Sequence, residues 1–201
     1  MIDALSFSDA VDIALKDNAN HNQVLVLGDI PEVYLSLGVP NLKLIMLHGT
    51  LLKIIEKHSL TINSIKRLPA LLKEPIMVFS SATETGSLIA IVDEYDCSGN
   101  TVIAVINPDW QNKRHKVNKI ASVYGKSRLR WFAEQIEAGR LLYSDKEKAL
   151  RWSQSTRLQL PREVIAAEHG LIIPSNQPKV KNNNHSKPIL TLKNKGKNHE
   201  N

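Results

Sequence analysis

The side chains with chemistry to offer fall in three places. His58 closes the stretch 51–58 (LLKIIEKH), where Leu51, Ile54 and Ile55 recur at helical spacing, so Lys53, Lys57 and His58 gather toward one helix end. Histidine titrates near pH 6.5 and is suited to moving protons at neutrality. The plainer reading is that cations collect at a helix C-terminus because the macrodipole favours them there. The second place is the strand pattern at 116–124 (KVNKIASVY). Strict alternation puts Lys116, Asn118, Ile120, Ser122 and Tyr124 on one face, and Val117, Lys119, Ala121 and Val123 on the other. Asn118, Ser122 and Tyr124 exchange hydrogen bonds, and Tyr124 can stack on a base. The alternative is a solvent-facing strand side, and a single bulge exchanges the faces. The third place is Gly125-Lys126-Ser127, between that strand and a helical pattern. A glycine at a helix start exposes N–H groups, and Lys126 and Arg128 add positive charge, a corner that suits a phosphate. An ordinary strand-to-helix turn explains it equally. A P-loop would need a further glycine where Ile120 stands, so nucleotide hydrolysis is excluded.

Charge is unevenly placed. The 201 residues carry a net +6, but 176–201 hold six lysines against one glutamate, leaving +1 for the rest. The run 111–130 contains Lys113, Arg114, Lys116, Lys119, Lys126, Arg128 and Arg130 with no acid, a patch that attracts polyanions, or else a strand edge protected by lysines. There is no CxxC, HExxH, EF-hand loop, GxGxxG or GxSxG, and the seven histidines show no ligand-like spacing, so neither a metal nor a cofactor is expected. No apolar run approaches the roughly 20 residues of a membrane span. The first residues (MIDALSFSDA) lack the features of a secretory signal, and Cys97 stands alone, which together suggest a reducing, cytoplasmic setting; the alternative is delivery by a machine that reads no N-terminal signal.

The elements that would position these groups follow from periodicity and punctuation. Phe7, Val11, Ala14 and Leu15 form an apolar helix stripe behind Ser6 and Ser8. VLVL (24–27) is a short apolar run. Pro31 opens a short helix that Gly38 ends, and 41–46 is extended. Thr50 is the expected cap of the His58 helix and Thr61 of the next segment, which Pro69 interrupts and Pro75 closes. Three Val- and Ile-rich strands then lie at 75–81, 87–95 and 101–106, the last two joined by the turn DCSGN; a polar loop starts at Pro108, and 116–124 is a fourth strand. Ser127 should cap a helix that Gly139 ends, LLYS (141–144) is extended, and Asp145 caps a helix to about Trp152. Trp131, Tyr143 and Trp152 fall in apolar patterns that suit core packing better than base stacking. Helices first and an antiparallel meander afterwards predict α+β, with N-terminal helices on a roughly four-stranded antiparallel sheet, then C-terminal helices. The segments are 1–24 (helical), 25–152 (main domain), 153–175 (extension) and 176–201, an Asn/Lys-rich tail too poor in apolar residues to order itself.

The order of landmarks resembles a known family. LGDIPEVYLSLGVPNLKLIM (27–46), LLKIIEKHSLTINSIKRLPALLKEPIMVF (51–79), the strand pair around DCSGN, NKIASVYGK (118–126) and GRLLYSDKEKA (139–149) are similar to the phage MuF C-terminal domain. That family is linked to the barnase–EndoU–colicin–RelE-like (BECR) ribonuclease fold. The resemblance implies a toxin or effector domain of phage or mobile-element origin that cuts RNA without a metal, the ribose 2′-OH acting as internal nucleophile. On it, His58, Ser122 and Tyr124 would be catalytic, and Lys53, Lys57, Lys116, Asn118, Lys126 and Arg128 would hold the RNA. A neutralising immunity or antitoxin protein would be a natural partner. The alternative is an inactive relative that binds RNA or protein without cutting. A carboxylate base of the barnase kind is not evident on the strand face.

Overall fold

A computed structural model describes residues 5–16, 20–161 and 164. The tail 176–201 and most of the 153–175 extension lie outside the described residues. Helix α1 (Phe7–Lys16) starts where the Ser6 side chain accepts the Asp9 N–H, and it buries Phe7, Val11 and Ala14. Strand β1 (Val24–Asp29), the four-residue helix α2 (Glu32–Leu35) behind Pro31, and β2 (Lys43–Leu47) follow. Helix α3 (His48–His58) begins directly at the end of β2, two residues before Thr50, the expected cap. The reason is tertiary: the His48 and Gly49 N–H groups donate to the carbonyls of Gln23 and His21 at 2.9 Å each, so a distant segment satisfies the helix start. Thr61 caps α4 (Ile62–Lys66) by accepting the Ser64 N–H at 3.0 Å, and Pro69 sits in the first turn of α5 (Leu68–Lys73).

Strands β3 (Met77–Ser80), β4 (Leu88–Tyr95), β5 (Thr101–Asn112) and β6 (His115–Lys126) form the expected meander. Helix α6 (Arg130–Glu137), β7 (Leu141–Ser144) and α7 (Lys146–Thr156) complete the order, with α7 running past Trp152 and capped by Asp145 accepting the Lys148 N–H at 2.9 Å. The fold is α+β, but the sheet has seven strands, in the order β1-β2-β6-β5-β4-β3-β7, and not four. All pairs are antiparallel except β2 with β6, which is parallel. The runs at 24–27, 43–47 and 141–144 are short; β1 pairs with β2, and β2 and β7 join the meander through β6 and β3, far along the chain. Pairing of that kind leaves no local sequence signal.

Helices lie against both faces. One face buries Leu25, Leu44, Met46, Val78, Ala90, Val102, Ala104, Ile106, Ile120 and Val123 with the apolar sides of α1, α3, α4 and α5. The other buries Met77, Phe79, Ile89, Ile91 and Ile103 with Phe132 of α6 and Trp152 of α7. The N-terminal helices therefore pack on one face only, with α6 and α7 on the opposite one.

Two departures from regular pairing in the β5–β6 hairpin matter most. Val105 faces Ser122 and Ile106 faces Ile120, so Ala121 is an extra residue on β6. Farther along, Asn107 faces Lys119 and Trp110 faces Val117, so Pro108 and Asp109 together oppose Asn118. This replaces the polar loop expected from Pro108 onward: the strand continues, and the proline is absorbed in a bulge. Asp109 has φ 53° there, and its N–H donates to the Asn118 Oδ1 at 3.2 Å. The Asn118 amide is fully buried; its Nδ2 donates to the carbonyls of Pro40 (2.9 Å) and Leu42 (3.1 Å). One side chain thus clamps the approach to β2, the β5 bulge and β6.

Asn118→Ala is expected to cost about 2–4 kcal/mol, because it strips partners from two carbonyls and one N–H around a buried side chain; urea unfolding measures it, and a loss below about 0.5 kcal/mol would remove the clamp. Gly125 supplies a second test. A Cβ there would overlap the Asp96 carboxylate, which also accepts the N–H groups of Ser98 (2.9 Å) and Asn100 (2.8 Å) in the β4–β5 turn. Gly125→Ala should destabilise by about 1–3 kcal/mol, and clearly less in an Asp96→Ala background; additive losses would show that the two positions do not meet.

Candidate functional site

Three elements converge at the C-terminal end of β6. Strand β2 runs parallel to β6 and stops pairing with it at Met46 opposite Ile120. Helix α3 continues from β2 and packs beside the remaining length of β6. Ten residue steps of helix advance about 15 Å, and the four steps from Ile120 to Tyr124 advance about 13 Å, so the end of α3 arrives level with Tyr124. The His58 and Tyr124 rings lie 5.4 Å apart, inclined at 38°. The turn between β4 and β5 fixes the helix end: Ser59 adopts a left-handed cap at φ 51°, and its carbonyl accepts the Cys97 N–H at 3.2 Å.

The electrostatics of this pair are opposed. Burial pushes the His58 imidazole below its ordinary value, and Lys53 and Lys57 beside it push the same way. Burial pushes the Tyr124 phenol up. At neutral pH the imidazole is therefore neutral and the phenol protonated. The His58 Nε2 is closed off from solvent and has no hydrogen-bond partner. Lys53 and Lys57 are exposed and form no ion pair among the described residues.

The bulge at Ala121 re-sorts the strand face read from alternation. Thr101, Ile103, Val105 and Asn107 share one face of β5, and their partners Lys126, Tyr124, Ser122 and Lys119 share it on β6. Asn118 and Ile120 turn to the opposite, buried face. Ser122 and Tyr124 thus stay together, half-buried, while Asn118 is separated from them with its amide fully engaged. Lys116 is exposed and paired with Asp109 at 2.6 Å. Lys119, which alternation placed on the other side, joins the Ser122–Tyr124 face; the extra backbone residue that moves it carries no mark in the sequence.

The corner at Gly125 differs from the expected phosphate cradle. Gly125 lies within β6 opposite Val102, the Asp96 carboxylate occupies the space above it, and α6 starts only at Arg130, with Leu129 and not Ser127 at its cap. Its N–H groups are not gathered for an anion, and a negative charge already sits there. Arg128 is exposed and donates to Glu134 at 2.6 Å. Lys126 lies over the Trp131 ring at 4.7 Å and borders a cleft of about 550 Å3 lined also by Tyr95, Asn100, Thr101, Ser127 and Ser155. Trp131 packs edge-on against Phe79 and Phe132, while Trp152 is buried and donates its indole N–H to Thr101 at 3.0 Å, as core aromatics do. Among the described residues no group of three or more metal-binding side chains converges, and no helix is long and apolar enough to cross a membrane.

The depressed imidazole has a measurable consequence. Unfolded, His58 takes a proton near pH 6.5; folded, it resists until lower pH. Its contribution is fully present above about pH 6.5 and is lost as pH falls through the lowered folded value. Wild-type protein is expected to lose more stability between pH 7.5 and 5.5, as estimated from about the midpoints of urea unfolding, than His58→Gln does. Parallel losses would place His58 in an environment no different from water.

Comparison with known proteins agrees with these landmarks. No curated protein and no solved structure matches the chain. Residues 52–151 match the phage MuF C-terminal domain, a span that runs from within α3, through the meander and the His58–Tyr124 contact, into α7. Through that segment, just under half of its length, the chain is similar to the phage MuF C-terminal domain family.

Proposed function

We propose that this protein is a metal-independent endoribonuclease of the BECR type, an effector or toxin domain acting in a bacterial cytoplasm. The observation that carries the reading is the His58–Tyr124 contact, two titratable rings whose surroundings move them in opposite directions. Such a separation is what divides acid from base in one site. In this reading the neutral imidazole takes the proton from the ribose 2′-OH as that oxygen attacks the adjacent phosphorus. The Tyr124 hydroxyl gives its proton to the departing 5′-oxygen, leaving a 2′,3′-cyclic phosphate. Lys53 and Lys57 offset the charge that develops on the phosphorane, Ser122 orients it, and Lys126 holds a neighbouring phosphate. The Nε2 is closed in the structure described, so engagement of RNA through that atom requires the surrounding side chains to part. That same closure favours a second reading, a relative that binds RNA or a partner protein without cutting.

Incubation of the purified protein with total RNA separates the two. Cleavage is expected to persist in excess EDTA and to leave cyclic phosphate ends. Restoration only by added magnesium or zinc would overturn the mechanism. His58→Gln should lower the rate by about two to four orders of magnitude while RNA binding stays nearly intact, and Ser122→Ala should lower it through geometry. Wild-type cleavage by folded His58→Gln protein would remove the site, whereas tight binding with no cleavage in the wild type would establish the second reading.

A further inference from the structure

The β5–β6 hairpin extends beyond the rest of the meander. Strand β4 stops pairing with β5 at Leu88 opposite Ile106, yet β5 and β6 remain paired to Asn112 and His115. On this overhang Lys113, Arg114, His115 and Lys116 are exposed, and only Lys116 has an ion-pair partner among the described residues. Lys119 lies with its ammonium 4.0 Å from the centre of the half-buried Trp110 ring. Glu84 is the acid nearest in influence to Lys119, and its carboxylate also accepts from Asn107 at 2.9 Å. The Ala121 bulge brings Lys119 onto the face that carries Ser122, Tyr124 and Lys126. Cations therefore flank the His58–Tyr124 pair on one side of β6, with a stacking aromatic at the far end. From Lys116 to Tyr124 the strand spans about 25 Å.

We propose that this arm is a second contact site for single-stranded RNA, separate from the reacting groups, with Lys113, Arg114 and Lys119 taking phosphates and Trp110 a base. Aromatic rings interleaved with cations along a groove hold single strands without reading sequence. The inference rests on the ribonuclease reading for its ligand and adds the substrate class: RNA long enough to reach from Tyr124 to the hairpin tip. Short oligonucleotides are then cut poorly through weak binding, and long single strands are preferred.

The test is fluorescence anisotropy with labelled single-stranded RNAs of about 3 and about 15 nucleotides, using the whole chain. Lys113→Gln with Arg114→Gln alters two exposed side chains and leaves the core alone. Binding of the longer RNA is expected to weaken about tenfold, with the salt dependence reduced by about one ion, and binding of the shorter RNA to stay unchanged. Lys16→Gln with Lys73→Gln removes the same charge from exposed positions elsewhere and should cost less than about twofold. Trp110→Ala, checked for folding, should weaken only the longer RNA. Equal losses in the two lysine-arginine and control pairs, or a wild type that binds no RNA, would overturn the arm. Arm-dependent binding without cleavage would leave the arm standing and remove the ribonuclease reading. Cleavage with arm-independent binding would do the reverse.

Discussion

The parallel pairing of β2 with β6 is the constraint on which the rest of the molecule depends. It joins an N-terminal hairpin to a meander that would otherwise end at β6, and a parallel pair needs a long connection between its members. That connection contains α3, α4 and α5 and the strands β3, β4 and β5. Register is held by a side chain and not by hydrophobic pattern alone: Asn118 pairs with Leu44 in the ladder and bonds the carbonyls of Pro40 and Leu42 just before β2 begins. A slip of one residue would turn Leu44 and Met46 away from the core and leave this amide buried without partners. It would also displace α3, because the helix starts where β2 ends. The position of His58 is therefore set by an amide far from it along the chain.

The bulges in the β5–β6 hairpin do separate jobs. The one at Asp109 lets a proline and a left-handed residue lie inside a long strand, with Asn118 supplying the hydrogen bond that regular pairing would have made. The one at Ala121 changes the parity of β6. Upstream, the polar Asn118 is turned inward as a clamp; downstream, Ser122, Tyr124 and Lys126 face outward toward α6. A regular strand could not place an inward-facing Asn118 and an outward-facing Ser122 four residues apart.

The positive charge of the middle of the chain is partly neutralised where it folds. Lys116 meets Asp109, Arg128 and Arg130 meet Glu134, and Asp96 covers Gly125. Exposed pairs of this kind contribute little stability, but they subtract from the field a polyanion would feel. What remains is less diffuse than the basic run suggested: Lys53 and Lys57 beside His58, Lys126 over Trp131, and the hairpin arm.

The sequence by itself determined most of the local structure. The α+β class, the meander strands, the Thr61 and Asp145 caps, the helix that ends at His58 and the landmarks of the phage family are all written in periodicity, capping residues and turn chemistry, which act over a few neighbours. Tertiary structure decided what depends on residues distant in the chain. It set the sheet at seven strands, because short extended runs acquire partners only when the whole sheet assembles. It started α3 at His48, because the carbonyls of His21 and Gln23 stand in for a cap. It parted Asn118 from Ser122 and Tyr124, because a bulge adds one backbone residue without altering the composition of the strand. It brought His58 against Tyr124, since the contact depends on the length of α3 and the register of β2 together, and no spacing between positions 58 and 124 encodes either.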